Sequence, residues 1–159
     1  MEHPAVLPFD TQRAFGVHVR ACIAHARASL QLFDPDCRVF ELGMADVDAA
    51  LRQFLAGGGT IALAMHRCAH IERHAPRFLR LLRQYGHRIA CRATPARLHT
   101  LSDSFCIGDQ VHIVRRFHSD HPRGEAAFDA PLATEISLAR FDALWLESRP
   151  CLHPGTTGL

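Results

Sequence analysis

The 159-residue sequence predicts one α/β domain: a mixed, mostly parallel sheet flanked by helices, with a C-terminal antiparallel hairpin and a closing helix. Three observations carry that expectation. Segments with apolar residues at 3.6-residue spacing alternate with short β-rich runs. One run, Thr60-Ile61-Ala62-Leu63-Ala64-Met65, is almost wholly apolar, as a strand covered on both faces must be. Two further runs flank Gly108-Asp109 closely enough to pair as a hairpin.

Taken in order, Asp10 and Thr11 suit the cap of a first helix whose apolar positions Phe15, Val19, Ile23 and Ala26 keep the helical period to about Ser29. Leu30-Gln31-Leu32-Phe33 reads as a short strand, stopped by Asp34-Pro35-Asp36, where proline and its flanking acids favour a turn. Asp46 is placed to cap a second helix carrying Val47, Ala50, Leu51, Phe54 and Leu55, and Gly57-Gly58-Gly59 ends it before the strand at 60–65. Pro76 fits the first turn of a third helix, expected to begin near Ala75, because a missing N–H is harmless there. That helix holds Phe78, Leu79, Leu82 and Tyr85 and ends at Gly86; Arg88-Ile89-Ala90-Cys91 is the next strand. Phe105-Cys106-Ile107 and residues 111–117 make the hairpin, a loop rich in His, Pro and Gly follows, and a last helix over about 132–148 turns Leu138, Phe141, Leu144 and Trp145 inward. The domain is expected over residues 9–149, with tails at 1–8 and 150–159.

Composition supports one globular unit, with 48% hydrophobic and 21% charged residues. No apolar run reaches the eighteen or so residues of a membrane span, and Met1-Glu2-His3-Pro4 lacks the basic start of a signal peptide, so a cytoplasmic protein is expected. All 18 basic residues are Arg, and the chain has no Lys and no Asn. Schiff-base chemistry and a Walker A phosphate lysine are therefore excluded. The six cysteines contain no C-x-x-C pair, which argues against a zinc knuckle or a local redox dithiol and favours buried free thiols. No cofactor is expected.

Net charge is only +2, yet between His66 and Arg97 eight Arg face the single acid Glu72, so that segment carries +7 and the remainder −5. Such asymmetry points to an anionic partner, a phosphate-containing ligand or an acidic protein, while Arg73, Arg77 and Arg80 at helical spacing also fit a solvated outer face. With one Trp and one Tyr, a base-stacking platform for nucleic acid has little to build on.

The opening amphipathic helix, the unit Leu55-Ala56-Gly57-Gly58-Gly59-Thr60-Ile61-Ala62-Leu63, the helix and strand leading to a His-bearing segment, and the closing Phe141-Asp142-Ala143-Leu144-Trp145 together resemble one half of the phospholipase D superfamily. The resemblance spans roughly residues 9–149 and looks like the small bacterial single-domain members. It implies a sheet-and-helix half domain and, for intact members, phosphodiester chemistry through H-x-K-x-x-x-x-D followed by G-S-x-N, the His acting as nucleophile and the Lys holding phosphate. Here that motif is degenerate. Placing its His on His99 puts Leu101 at the Lys position and Cys106 at the Asp position; placing its Asp on Asp109 puts Ser102 and Ser104 at the His and Lys positions. Downstream, His118-Ser119-Asp120-His121 keeps only Ser119 of the second motif.

The resemblance with its missing lysine implies a non-catalytic binding or regulatory module for a phosphate-bearing or acidic partner, with Arg115, Arg116, Arg123, Ser102, Ser104 and Ser119 as anion-binding candidates. The enzyme alternative is a phosphodiesterase with His99 or His118 as nucleophile and Arg115 or Arg116 in place of the lysine. A third alternative is a protein-docking accessory domain, for instance of an acetyltransferase. A second copy of the chain is a further candidate partner, although a homodimer would bring together two incomplete motifs. His66, His70 and His74, spaced four apart, and His121 are weak metal candidates, since the expected start of the third helix leaves the first three in an irregular link.

Overall fold

The computed structural model describes residues 4–153. Residues 1–3 and 154–159 of the expected tails lie outside the described residues.

The first helix, α1, runs Gln12–His25, with the Thr11 hydroxyl accepting from the Ala14 N–H at 3.0 Å. It stops short of Ser29 because that residue opens strand β2, Ser29–Asp34. The N–H groups of Arg27, Ala28 and Ser29, freed at this junction, donate to the Asp109 carboxylate. Helix α2, Ala45–Ala56, begins one residue before Asp46, which lies in its first turn and pairs with Arg20 of α1 at 2.6 Å. Strand β3 is Thr60–Met65, as expected. Pro76 opens α4, Pro76–Gln84, but a separate short helix α3, Ala69–His74, precedes it, so His70 and His74 lie in a helix and not in an irregular link. Strand β4 follows at Ile89–Ala93.

The hairpin is β5, Ser104–Gly108, and β6, His112–His118. Its three-residue turn, 109–111, places Asp109 and Gln110 at φ of 52° and 62°, both left-handed, and the Val111 N–H donates to the Gly108 carbonyl at 3.0 Å. The His-, Pro- and Gly-rich stretch expected as a loop is instead a strand, β7 (His121–Ala127), antiparallel to β6. At Gly124 a Cβ would lie 1.9 Å from the Arg115 carbonyl oxygen, so only glycine lets β7 approach β6 this closely. Both expected tails also contribute strands: β1, Leu7–Phe9, pairs with β7, and β8, Arg149–Pro150, pairs with β4. The last helix, α5, spans Pro131–Glu147.

The result is one sheet in the order β1-β7-β6-β5-β2-β3-β4-β8. It is mixed, as expected, with β2, β3 and β4 parallel and the other pairings antiparallel; the antiparallel share is larger than the sequence indicates because β1, β7 and β8 join it. Side chains alternate across it. Leu30, Leu32, Leu63, Cys106 and Val114 pack with residues of α1, α2 and α4, whereas Phe33, Ala64, Phe105, Ile107 and Ile113 pack with Phe141 and Leu144 of α5. Among the described residues, no helix is long and apolar enough to cross a membrane.

Candidate functional site

The parallel strands end together, and polar side chains collect there. On the α1 face, Asp34 closes β2, Ser104 opens β5 and Arg116 lies in β6, three residues side by side on neighbouring strands. Ser104 shares its face with Cys106, and Arg116 with Val114, so both polar groups are carried into the core by strand alternation. All three are buried, Asp34 at 1% exposure and Arg116 at 7%.

They satisfy one another. The Ser104 hydroxyl donates to Asp34 Oδ1, and Arg116 Nη2 donates to the same oxygen at 3.2 Å and to Ser104 Oγ at 3.0 Å. The other carboxylate oxygen accepts from the N–H groups of Asp36 (3.0 Å) and Cys37 (2.8 Å). Burial pushes the Asp34 carboxyl above its ordinary range, against the opposing pull of Ser104, those two N–H groups and Arg116. Arg116 Nε is buried with no hydrogen-bond partner among the described residues.

A second cluster sits in the loops after β3 and β4. His66 Nε2 lies 2.7 Å from the Leu101 carbonyl oxygen, which can only accept, so Nε2 carries the ring proton and Nδ1 accepts from the Thr94 hydroxyl at 2.6 Å. His99 stacks beside it at 4.8 Å between ring centroids, its Nε2 3.4 Å from the Thr94 carbonyl. Burial holds the His66 imidazole below its ordinary pKa, favouring the neutral ring. The half-buried Asp103 binds Arg140 of α5 at 2.6 Å.

The structure brings together some of the candidates read from the sequence and separates others. Ser104 and Arg116 meet; Ser102 is half-buried in the preceding segment. Arg115 points to the opposite sheet face and pairs with Glu125 of β7. Arg123, Ser119, His118 and His121 are exposed at the β6–β7 end, where His118 Nδ1 accepts from the Asp120 N–H at 3.1 Å. His66 is engaged as above, away from the facing pair His70 and His74, whose ring centroids are 5.1 Å apart. Among the described residues, no group of three His, Cys, Asp or Glu side chains could hold a metal ion. Asp34 was missed because Asp-Pro-Asp signals a turn; Arg116 on the core parity of its strand was the available sign of a buried ion partner.

The basic segment forms an exposed surface. Arg73, Arg80 and Arg83 of α3 and α4 are exposed and, among the described residues, form no ion pair; Arg77 donates to the Gly43 carbonyl at 2.8 Å. Beside them lies a cleft of about 500 Å³, lined by Leu79, Arg80, Leu82, Arg83, Leu152 and Glu72.

This sheet, with helices on both faces and a closing helix, has the phospholipase D-like fold. It is similar to Nuc of Salmonella typhimurium, a phospholipase D family member, at 16% identity and a TM-score of 0.68, over 94% of this chain and 99% of that one. It is also similar to NucT of Helicobacter pylori, at 10% identity and 0.65 over 94% and 100%. TrmBL2, an archaeal chromatin protein with a novel mode of DNA binding, matches at 8% identity and 0.67 over 92% of this chain and 54% of that one. No curated protein matches the chain by sequence. The chain belongs to the family described as domain of unknown function DUF7931, whose model matches residues 11–153.

Proposed function

We propose that this phospholipase D-like domain is a non-catalytic module that binds a phosphate-bearing or acidic partner. The observation that carries the reading is the state of Arg116. In the register that puts the motif aspartate on Asp109, Ser104 stands at the lysine position, and among the described residues the one guanidinium bonded to Ser104 is ion-paired to Asp34 inside the core. A buried, neutralised cation does not stabilise the charge that builds on a phosphoryl group in its transition state. The guanidinium groups of Arg73, Arg80, Arg83 and Arg123, by contrast, are exposed and lack ion pairs among the described residues, which supports recognition of an anion.

The test is the melting temperature of the purified protein against inorganic phosphate, nucleotides, short nucleic acids and phospholipid headgroups, at low and high salt, with hydrolysis of a chromogenic phosphodiester measured in parallel. A ligand that binds only the native state raises the melting temperature, and contacts through several Arg weaken steeply with salt. The expected result is a salt-sensitive shift with one phosphate-bearing ligand, reduced in Arg80→Ala/Arg83→Ala or in Arg123→Ala, and no hydrolysis. Hydrolysis abolished by His99→Ala or His118→Ala would establish the phosphodiesterase instead. No shift with any ligand would leave docking to another protein.

A further inference from the structure

Helix α5 carries a second apolar face besides the one it turns to the sheet. The sheet side buries Thr134, Ser137, Phe141 and Leu144. On the opposite side Leu132, Ile136, Ala139, Ala143 and Leu146 follow one another at intervals of four, three, four and three residues, which aligns them in one stripe about 21 Å long. Leu132, Ile136 and Leu146 are 78%, 76% and 84% exposed, the three most exposed large hydrophobic side chains among the described residues, and both alanines are exposed too. Nothing within the described fold covers the stripe. Alternation of four and three is the seam along which one helix packs against another, so the spacing specifies a helical partner.

Charge along the stripe specifies what kind of helix. Glu135 and Asp142, seven residues apart on one edge, are exposed and form no ion pair among the described residues. On the other edge Arg140 and Glu147 are already engaged, with Asp103 at 2.6 Å and with Arg97. We propose that this face docks a basic amphipathic helix of another protein, its own apolar seam lying on the stripe and its Lys or Arg side chains meeting Glu135 and Asp142. Ala139 and Ala143 leave room at the centre for larger side chains from that helix. A second copy of α5 lacks the cations. Laid parallel, it would set Glu135 and Asp142 against Arg140 and Glu147, which are paired within their own chain; laid antiparallel, it would set these acids against their own counterparts. The face lies across the sheet from the arginines of α3 and α4, so the proposal does not depend on the anion-binding reading.

The probe is a labelled synthetic helix of about three heptads, with Leu or Ile at every seam position and Lys at every position flanking the seam, where like charges keep it from pairing with itself. Fluorescence anisotropy measures its binding to the full-length protein at low and high salt, and amide exchange maps the contact. The expected result is saturable binding that weakens as salt rises, with protection gained in α5. Ile136→Gln/Leu146→Gln changes two exposed side chains, so it should keep the wild-type circular dichroism spectrum and weaken binding more than tenfold. Glu135→Gln/Asp142→Asn should weaken it about threefold or more and flatten the salt dependence. Should the first variant fail to fold, the second variant and the wild-type exchange map still decide. Equal affinity for a peptide with Glu in place of every flanking Lys, protection confined to other elements, or no binding would overturn the proposal. So would a dimer of the wild-type protein in sedimentation that Ile136→Gln/Leu146→Gln separates, because the face would then belong to a second copy.

Discussion

Replacing Arg116 with methionine keeps much of the side chain's length and removes its charge, so it isolates what the guanidinium does for Asp34. The carboxylate would keep the N–H groups of Asp36 and Cys37 and the Ser104 hydroxyl but lose its cation partner Arg116, at a position 1% exposed. Stranding a buried charge in this way costs about 3–5 kcal/mol. The low end applies here, because the variant also relieves the unpartnered Arg116 Nε. For a chain of this size, about 3 kcal/mol lowers the melting temperature by roughly 6–12 °C. The pH dependence has a definite sign. A carboxyl whose folded pKa lies above its unfolded value binds its proton more readily in the native state, so the native state loses stability as pH rises through that interval. Asp34 is raised already, and removal of Arg116 raises it further. The deficit of Arg116→Met relative to wild type is therefore largest near pH 8 and shrinks as pH is lowered toward 5. Chemical denaturation at several pH values measures it, and the comparison with wild type cancels the groups both proteins share. A deficit independent of pH, or an Asp34→Asn/Arg116→Met double variant as unstable as the two single variants added together, would refute the coupling.

Gly124→Ala should destabilise the protein by more than about 2 kcal/mol, since its Cβ would overlap the Arg115 carbonyl at 1.9 Å and the Phe9 ring at 2.6 Å, and amide exchange should show β1 and β7 losing protection first. Asp109→Ala removes the acceptor for three backbone N–H groups and should cost about 1–3 kcal/mol at pH 6 by urea unfolding. Burial pushes the Asp109 carboxyl up, but those bonds outweigh it and hold the group below its usual range; its stabilisation is thus lost as pH falls through the folded pKa, and the variant's deficit should narrow below about pH 4. His66 should remain a neutral Nε2–H tautomer at pH values where an ordinary imidazole is half protonated, read from its ring ¹⁵N shifts; titration at or above about 6.5 would contradict the burial that sets it.

The parallel core was legible because β2, β3 and β4 are short runs centred on apolar residues and lie between amphipathic helices. The outer strands were not. Pro8, Pro122 and Pro150 read as breakers, yet Pro8 and Pro150 sit in strands at the two sheet edges, where a missing N–H leaves no gap in the ladder, and Pro122 lies outside the stretch of β7 that pairs with β1. Gly124 reads as a loop residue for the same reason that it is needed in the strand: nothing with a Cβ fits against Arg115. The Asp34, Ser104 and Arg116 cluster escaped because it joins residues some 70 to 80 positions apart. Local spacing holds no information about such contacts; strand parity does, for Ser104 and Arg116.

On the proposed reading, where charge sits in this chain separates recognition from chemistry. A guanidinium 3.2 Å from a carboxylate in the core presents almost no net field to a ligand, and removing the carboxylate's solvation shell has already raised the carboxyl's pKa. Holding a phosphate there would require Asp34 to give up Arg116, leaving the carboxylate buried without its cation, the same penalty that Arg116→Met incurs. The arginines of α3 and α4 face no such exchange, because among the described residues Arg73, Arg80 and Arg83 have no acidic partner to surrender. An anion can meet them at the cost of water and counterions alone, which makes binding salt-dependent and leaves the core untouched. Arg80→Ala/Arg83→Ala should accordingly weaken anion binding at unchanged stability, and Arg116→Met should lower stability while leaving the salt dependence of binding as it is.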